Sequence, residues 1–415
     1  MKRTWFQIHW ALGISAGIVL AVVGVTGACL SFQDEILHWL NPVAVSERQE
    51  AQRLSPVELL AHIETMHPEK RIVSLTVYSA GDRAARIMFA PLADVASRSS
   101  RRRSEVHYIN PYTGEMLGEP RGAAFFRAAR ETHRWLAAGA IGKQVVGAST
   151  LALVVMCLSG LYLRWPRRAL DWRAWLMFDW RRRGRKFLRD LHACVGTWVL
   201  APYLVMGLTG LHWSYDWYRN ALYALTGAPR PAARIAAPPS DSSGPQRSGR
   251  LRQKPALNAA QEKKQRDLTA AWSAFERIGR GYSSATLRVP ERTGQPVQIT
   301  YLQADSAHDR AFDRVVLDAR SGTVLKHERY ADKPPGARLM SSMFALHSGR
   351  LFGVPGVIAL MLASALMPLF TITGWMLYLG RRTKKRRTAL AAHERAASSD
   401  APEPASSRAR VKLMH

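Results

Sequence analysis

Four stretches of this chain, residues 4–33, 144–163, 191–215 and 351–380, contain no Asp, Glu, Lys or Arg. Each is about as long as the roughly 20 residues a helix needs to cross a hydrocarbon core. Inside lipid every backbone polar group must be satisfied within the segment or by a closed barrel, so long uninterrupted apolar runs fold as helices. Four transmembrane helices are therefore predicted. The formal charge of +28 over 415 residues would suggest a nucleic-acid partner in a soluble protein, but its distribution is topological. Lys2 and Arg3 precede the first apolar run, arginines crowd the connection from Arg164 to Arg189, and Arg381, Arg382, Lys384, Lys385, Arg386 and Arg387 follow the last. Short basic flanks stay in the cytoplasm, so both termini are predicted there, in a bacterial inner membrane. The long stretches, about 34–140 and 216–350, then face the periplasm. No nucleic acid is expected as a partner; membrane lipid with anionic headgroups is.

The first apolar run is read as a retained anchor, since it is long and no small-x-small cleavage site follows a short apolar core. Cys29, Cys157 and Cys194 all fall inside predicted helices and lack ligand spacing, which argues against a disulfide framework or a thiolate metal site.

Between the helices the pattern changes to short β-like runs. Ser55-Pro56-Val57-Glu58 is a capping box with proline at the first helical position, predicting a helix to about His67. Strands are predicted near Ile72–Tyr78, Arg86–Phe89 and Val106–Ile109, then a turn at Asn110-Pro111-Tyr112-Thr113-Gly114 and one more strand. The second long stretch repeats the order: a helix around Leu268–Ile278, strands near Ala285–Val289, Val297–Leu302 and Arg314–Leu317, and the turn Asp318-Ala319-Arg320-Ser321-Gly322.

The expected fold class is thus a membrane α-helical bundle of four transmembrane helices, internally duplicated, with two small α+β periplasmic modules. Its expected divisions are helix 1 over 1–33, module 1 over 34–130, helix 2 over 131–165, a basic cytoplasmic loop over 166–186 and helix 3 over 187–218. Module 2 over 219–340 follows, with a flexible insertion near 236–267 that is too polar to bury a core; then come helix 4 over 341–380 and a basic disordered tail over 381–415.

Histidines mark the ends of the apolar segments. Sliding the chain along itself so that His9 falls on His192 also lays Gly13 on Gly196, Gly24 on Gly207, Thr26 on Thr209 and Gly27 on Gly210. A second shift lays His133 on His347, Gly142 on Gly356, Gly160 on Gly374 and Arg167-Arg168 on Arg381-Arg382. Ionisable residues in a membrane are costly and point to function. A lone interfacial histidine is more often hydrogen-bonded or snorkelling than a ligand; four at matched positions, two per membrane face, favour ligation. A b-type haem is a flat apolar macrocycle needing two axial nitrogens, which facing helices of a bundle supply. His9 and His192 are expected to clamp one haem iron near the cytoplasmic face, and His133 and His347 a second near the periplasmic face. Gly13, Gly196, Gly27 and Gly210 keep one helix face slim and are assigned to secondary haem packing, although glycines also serve close helix packing.

His212 stands near the periplasmic pair and is kept as an alternative ligand; His38, like His212, lacks a partner at the repeat spacing. His62, His67, His107, His308 and His327 are expected at the surface of the modules. The aromatic groups Trp172, Trp175, Trp180 and Trp213, Tyr215, Trp217, Tyr218 read as interface anchors. No residue is singled out for acid–base catalysis.

Several of these strings together resemble the PepSY-associated transmembrane family, also known as iron-regulated membrane proteins. They are His9-x-x-x-Gly13 with Val25-Thr26-Gly27 and Ser31-Phe32-Gln33-Asp34-Glu35-Ile36, His133-Arg134-Trp135-Leu136 with Leu158-Ser159-Gly160, and Trp165-Pro166-Arg167-Arg168. Leu191-His192, Leu208-Thr209-Gly210, Trp213-Ser214-Tyr215-Asp216-Trp217-Tyr218-Arg219, Leu346-His347-Ser348-Gly349-Arg350 and Thr373-Gly374-Trp375 extend the likeness over nearly the whole chain. The resemblance implies PepSY-like modules and a membrane oxidoreductase with two haems b that reduces a ferric siderophore or other ferric chelate in the periplasm. A cytoplasmic reductase or quinol would be the electron donor. The rival readings are a haem or metal transporter and a non-enzymatic PepSY-type membrane regulator.

Overall fold

The computed structural model describes residues 1–42, 52–90, 105–166, 170–177, 179–230 and 254–399. The chain opens with α1 (Lys2–Leu30), one unbroken helix, and a one-turn corner leads into α2 (Gln33–Leu40), whose first turn carries Asp34 and Glu35, favourable at a helix N-terminus. Helix α3 (Pro56–Met66) starts at the predicted capping box: Ser55 Oγ accepts from the Glu58 N–H at 3.3 Å and Glu58 Oε2 accepts from the Ser55 N–H at 2.7 Å. The strands β1 (Ile72–Tyr78), β2 (Ala85–Phe89), β3 (Glu105–Ile109) and β4 (Met116–Gly118) follow.

Helix α4 (Ala123–Trp135) ends where Leu136 and Ala137 take left-handed backbone angles, φ 49° and 54°. This reverses the chain before α5 (Gly139–Arg164), so the expected single helix over 131–165 is two helices with a corner between them. The basic connection contains the short α6 (Trp172–Leu176), and its residues 167–169 and 178 lie outside the described residues.

The third apolar run, expected as one helix, is α7 (Gly184–Trp198) and α8 (Leu200–Ser214), bent by 62° at the break. Pro202 accounts for the break, because it has no N–H to give the Trp198 carbonyl and its ring crowds that carbonyl. Among the described residues, three helices are long and apolar enough to cross a membrane, and this bent pair would make a fourth span.

After α9 (Asp216–Thr226) the second half resumes with α10 (Lys254–Ile278). Of the insertion expected near 236–267, residues up to 253 lie outside the described residues, and from Lys254 onward it is helix rather than flexible chain. The strands β5 (Tyr282–Arg288), β6 (Val297–Gln303), β7 (Asp313–Leu317) and β8 (Val324–Glu328) follow, then α11 (Pro335–Ser341) and α12 (Met343–His347). A 3-10 turn, Arg350–Phe352, enters α13 (Gly353–Ala365) and α14 (Met367–Ser399). Helix α14 continues past residue 380, where the last span was expected to end, so the first part of the expected disordered tail is helical; residues 400–415 lie outside the described residues.

The strands expected in two separate modules form a single eight-stranded antiparallel sheet in the order β4-β3-β2-β1-β5-β6-β7-β8. The halves meet where β1 pairs with β5, Leu75 opposite Leu287 and Val77 opposite Ala285. Alternation puts Leu75, Ile87, Leu287, Ile299 and Val315 on one face, where α3 and α10 cover them with Leu59, Leu60, Ile63, Trp272 and Phe275 in one continuous core. The bundle has its own core of Ala16, Leu20, Leu153, Cys157, Tyr203, Ala363 and Met367.

Candidate functional site

The two matched histidine pairs meet in space. His9 on α1 faces His192 on α7 with ring centroids 6.4 Å apart, and His133 on α4 faces His347 on α12 at 6.3 Å. Each pair takes one ring from each half of the chain. His9 shares α1 with Val23 and Thr26, the residues that His133 touches, so at about 1.5 Å per residue the pairs sit roughly 21–26 Å apart along the bundle. One pair lies on the sheet side and the other on the side from which α14 runs out, here called the tail side.

Among the described residues, the hydrogen bonds of these rings are made at Nδ1, and always to a residue of a different helix. His9 Nδ1 lies 2.8 Å from Ser159 Oγ on α5, and His192 Nδ1 lies 2.7 Å from Thr373 Oγ1 on α14. His347 Nδ1 is 2.9 Å from Thr209 Oγ1 on α8; His133 Nδ1 is 2.9 Å from the Val23 carbonyl and 3.3 Å from Thr26 Oγ1, both on α1. The glycine after each of three of these hydroxyls sits against the ring. A Cβ built at Gly27 would come within 3.0 Å of His133 Cε1, one at Gly160 within 3.3 Å of His9 Cε1, and one at Gly210 within 3.6 Å of His347 Cε1.

Gly27 and Gly210 thus make room for imidazoles. Gly13 and Gly196 meet other side chains instead, Met156 at 3.7 Å and Phe370 at 3.5 Å, which is ordinary helix packing. Aromatic rings wall the site: Phe370 stands edge-on to His192 at 5.1 Å and Trp213 to His347 at 5.4 Å. Trp213 is therefore part of the site's wall, beyond the anchoring role read from its position.

His212, the alternative ligand, is 9 % exposed and packs on Trp213 at 5.3 Å; among the described residues its Nδ1 has no hydrogen-bond partner and its ring meets neither member of the sheet-side pair. His38 is drawn outward, 3.2 Å from Asp82 in the turn between β1 and β2. His308, expected at the surface, is buried, because its Nε2 meets Tyr330 Oη at 3.2 Å and Ser342 Oγ at 3.3 Å under the sheet.

The sheet-side pair is tied to the sheet by Arg350, three residues beyond His347 and only 12 % exposed. Its guanidinium donates to both oxygens of Glu35, at 2.8 and 3.0 Å, to Asp309 Oδ2 at 2.8 Å and to the Ser31 carbonyl at 3.2 Å. Arg310 adds a 2.7 Å bond to Asp34. Burial, the largest single cause, pushes the Glu35 carboxyl up, but Arg350, the Glu35 backbone N–H and the charge of Arg83 together hold it below its ordinary value of 4.5.

Two imidazoles alone are a poor cage for a bare ion, and among the described residues no group of three or more His, Cys, Asp or Glu could share one. A porphyrin brings its own equatorial nitrogens and asks the protein for two axial ligands. A metal–imidazole bond of roughly 2 Å on either side of one ion puts the two ring centroids roughly 6 Å apart, which the observed spacings match. The donor set therefore fits two bis-imidazole haems.

The sequence profile of the PepSY-associated TM region matches residues 6–381. The chain belongs to that family. A search of curated proteins finds no match. The family match spans both halves, so all four histidines and all four of their hydroxyl partners fall within the PepSY-associated region.

Ser159 and Thr373 were not singled out from the sequence, although the signal was there. The shift that lays His133 on His347 also lays Ser159-Gly160 on Thr373-Gly374, just as the first shift lays Thr26-Gly27 on Thr209-Gly210. What the sequence could not supply was that these pairs face the histidines.

Proposed function

We propose that this membrane protein is a dihaem b-type electron-transfer protein of the bacterial inner membrane that reduces ferric siderophores or other ferric chelates. Electrons enter on the tail side, taken as cytoplasmic, from a reductase or quinol and leave on the sheet side, taken as periplasmic. The observation that carries this reading is the pair of facing imidazoles repeated at two depths, each at the spacing of a bis-imidazole iron. On this reading His9 and His192 hold one haem, His133 and His347 the other, and the chain is a duplication whose halves each give one ligand to each haem and one PepSY-like module to the sheet.

Bound haem supplies a one-electron carrier; its axial ligands, burial and hydrogen bonding set the potential. The chain's own residues do the rest. The four imidazoles would hold the two irons, two to each, Leu20, Tyr203, Met367 and Phe370 keep water out between the levels, and Arg350 holds the His347 segment to the loop between β6 and β7 through Asp309. Outer-sphere electron transfer of this kind needs no proton transfer. The test is a reduced-minus-oxidised spectrum of the purified full chain. Two b-type haems per chain, reduced from the tail side and reoxidised by a ferric chelate on the sheet side, are expected. A preparation from haem-replete cells with no b-type bands overturns the reading, and haem that cannot be reduced from either side points to transport instead.

A further inference from the structure

We propose that the four Ser/Thr-Gly dipeptides, Thr26-Gly27, Ser159-Gly160, Thr209-Gly210 and Thr373-Gly374, are imidazole seats that hold His133, His9, His347 and His192 in the Nδ1–H tautomer. Nε2 of each ring then carries the free lone pair. A hydroxyl has one proton to give, and in every seat a carbonyl of its own helix stands within hydrogen-bond reach, which we assign as the acceptor of that proton. Thr26 donates to Val22 O at 2.8 Å, Ser159 to Met156 O at 3.2 Å, Thr209 to Val205 O at 2.6 Å and Thr373 to Leu369 O at 2.7 Å. Each hydroxyl can then only accept from the imidazole, which makes Nδ1 the donor. At His133 the same conclusion comes twice, since the Val23 carbonyl 2.9 Å away can only accept.

Such back-bonding is common for Ser and Thr in helices and by itself signifies nothing. What sets these four apart is that each meets a ring nitrogen from another helix and is followed by a glycine. In three seats that glycine leaves room the ring uses; at Gly374 a Cβ would meet nothing within 4 Å, and His192 is braced by Phe370 instead. Seats and histidines also recur at the same two shifts of the sequence, so donor and acceptor repeat together.

An Nδ1–H···O bond orients an imidazole and raises the basicity of its other nitrogen, and losing such a support costs a metal ligand about 10–100-fold in affinity. Ser159, Thr373, Thr26 and Thr209 are thus positioning residues. Their tautomer assignment stands on hydrogen bonding alone, whereas their effect on haem rests on the function proposed above.

Nitrogen NMR of the full chain in lipid nanodiscs, labelled with 15N only at histidine, decides the matter with or without haem. The wild type should show His9, His133, His192 and His347 protonated at Nδ1 and bare, or metal-bound, at Nε2. Thr373→Val should move His192 alone towards the other tautomer, and Thr373→Ser should restore it. Where haem is present, Thr373→Val should also weaken retention of one haem roughly 10–100-fold, with Thr373→Ser again restoring it. Wild-type rings protonated at Nε2, or a Thr373→Val protein whose His192 signals do not move, would overturn the proposal. If Thr373→Val fails to fold, the wild-type assignment decides it unaided. A chain that holds no haem but shows the four Nδ1–H rings sinks the electron-transfer reading and leaves the seats intact.

Discussion

The two histidine pairs are alike in their rings and unlike in what holds them. On the tail side, His9 and His192 belong to α1 and α7, and the neighbours that fix them, Ser159, Thr373 and Phe370, are all bundle residues. On the sheet side, His133 and His347 lie near the ends of α4 and α12, each followed by left-handed backbone, Leu136 and Ala137 in one case and Gly349 in the other. Arg350, next to that second corner, reaches Glu35 and, through Asp309, the loop between β6 and β7. The tail-side pair is set by the bundle alone; the sheet-side pair hangs between bundle and sheet and can feel what the sheet does.

The largest expected effect separates the pairs outright. On the proposed dihaem reading, His133→Ala or His347→Ala should remove one haem's absorbance and leave the other, and His9→Ala or His192→Ala should do the converse, whereas His212→Ala should keep both. If any one of the four substitutions removes neither haem, the pairing is wrong.

Next in size is a contrast of glycines. Gly27→Ala puts a methyl 3.0 Å from His133 Cε1, while Gly374→Ala meets nothing within 4 Å. The first should broaden or shift the sheet-side haem spectrum and the second should leave both haems unchanged. Equal sensitivity at the two positions would show that ring contact is not what these glycines serve.

Arg350→Ala tests the coupling to the sheet. It leaves Glu35 and Asp309 without their shared partner, at a cost of about 1–3 kcal/mol, since hydrogen bonds to charged groups are strong but both carboxylates are partly solvated. Thermal unfolding should register that loss, and only the sheet-side haem should change its potential. A matching shift in both haems would mean that the latch stabilises the bundle as a whole.

The smallest effect is that of pH. The folded Glu35 carboxyl titrates below its ordinary 4.5, so its contribution is complete above that pH and is lost as pH falls through the lowered folded value. Stability differences between wild type and Glu35→Gln should therefore be constant from about pH 5 to 8 and shrink only in stronger acid.

Much of this was legible in the chain. The strands and the capping box of α3 fall where alternation and Ser55-Pro56-Val57-Glu58 put them, because such signals are local. The breaks were harder to read. Hydropathy runs on through Val199 and Leu366, where Pro202 and Pro368 interrupt helical bonding, and it gives no hint that Leu136 and Ala137 turn the chain before α5. His308 looked like a loop histidine because Tyr330 and Ser342, which bury it, are distant in sequence.

By itself, the sequence determined the apolar spans, the strands, the four matched histidines and the repeat that relates them, since each is a matter of composition or spacing along one chain. Only the tertiary structure decided that the two sets of strands share one sheet, joined by β1 and β5, and that His9 turns to Ser159 while His192 turns to Thr373. The reason is that these outcomes depend on which surfaces meet when helices and strands pack. Self-similarity shows that two residues are equivalent, not that they touch.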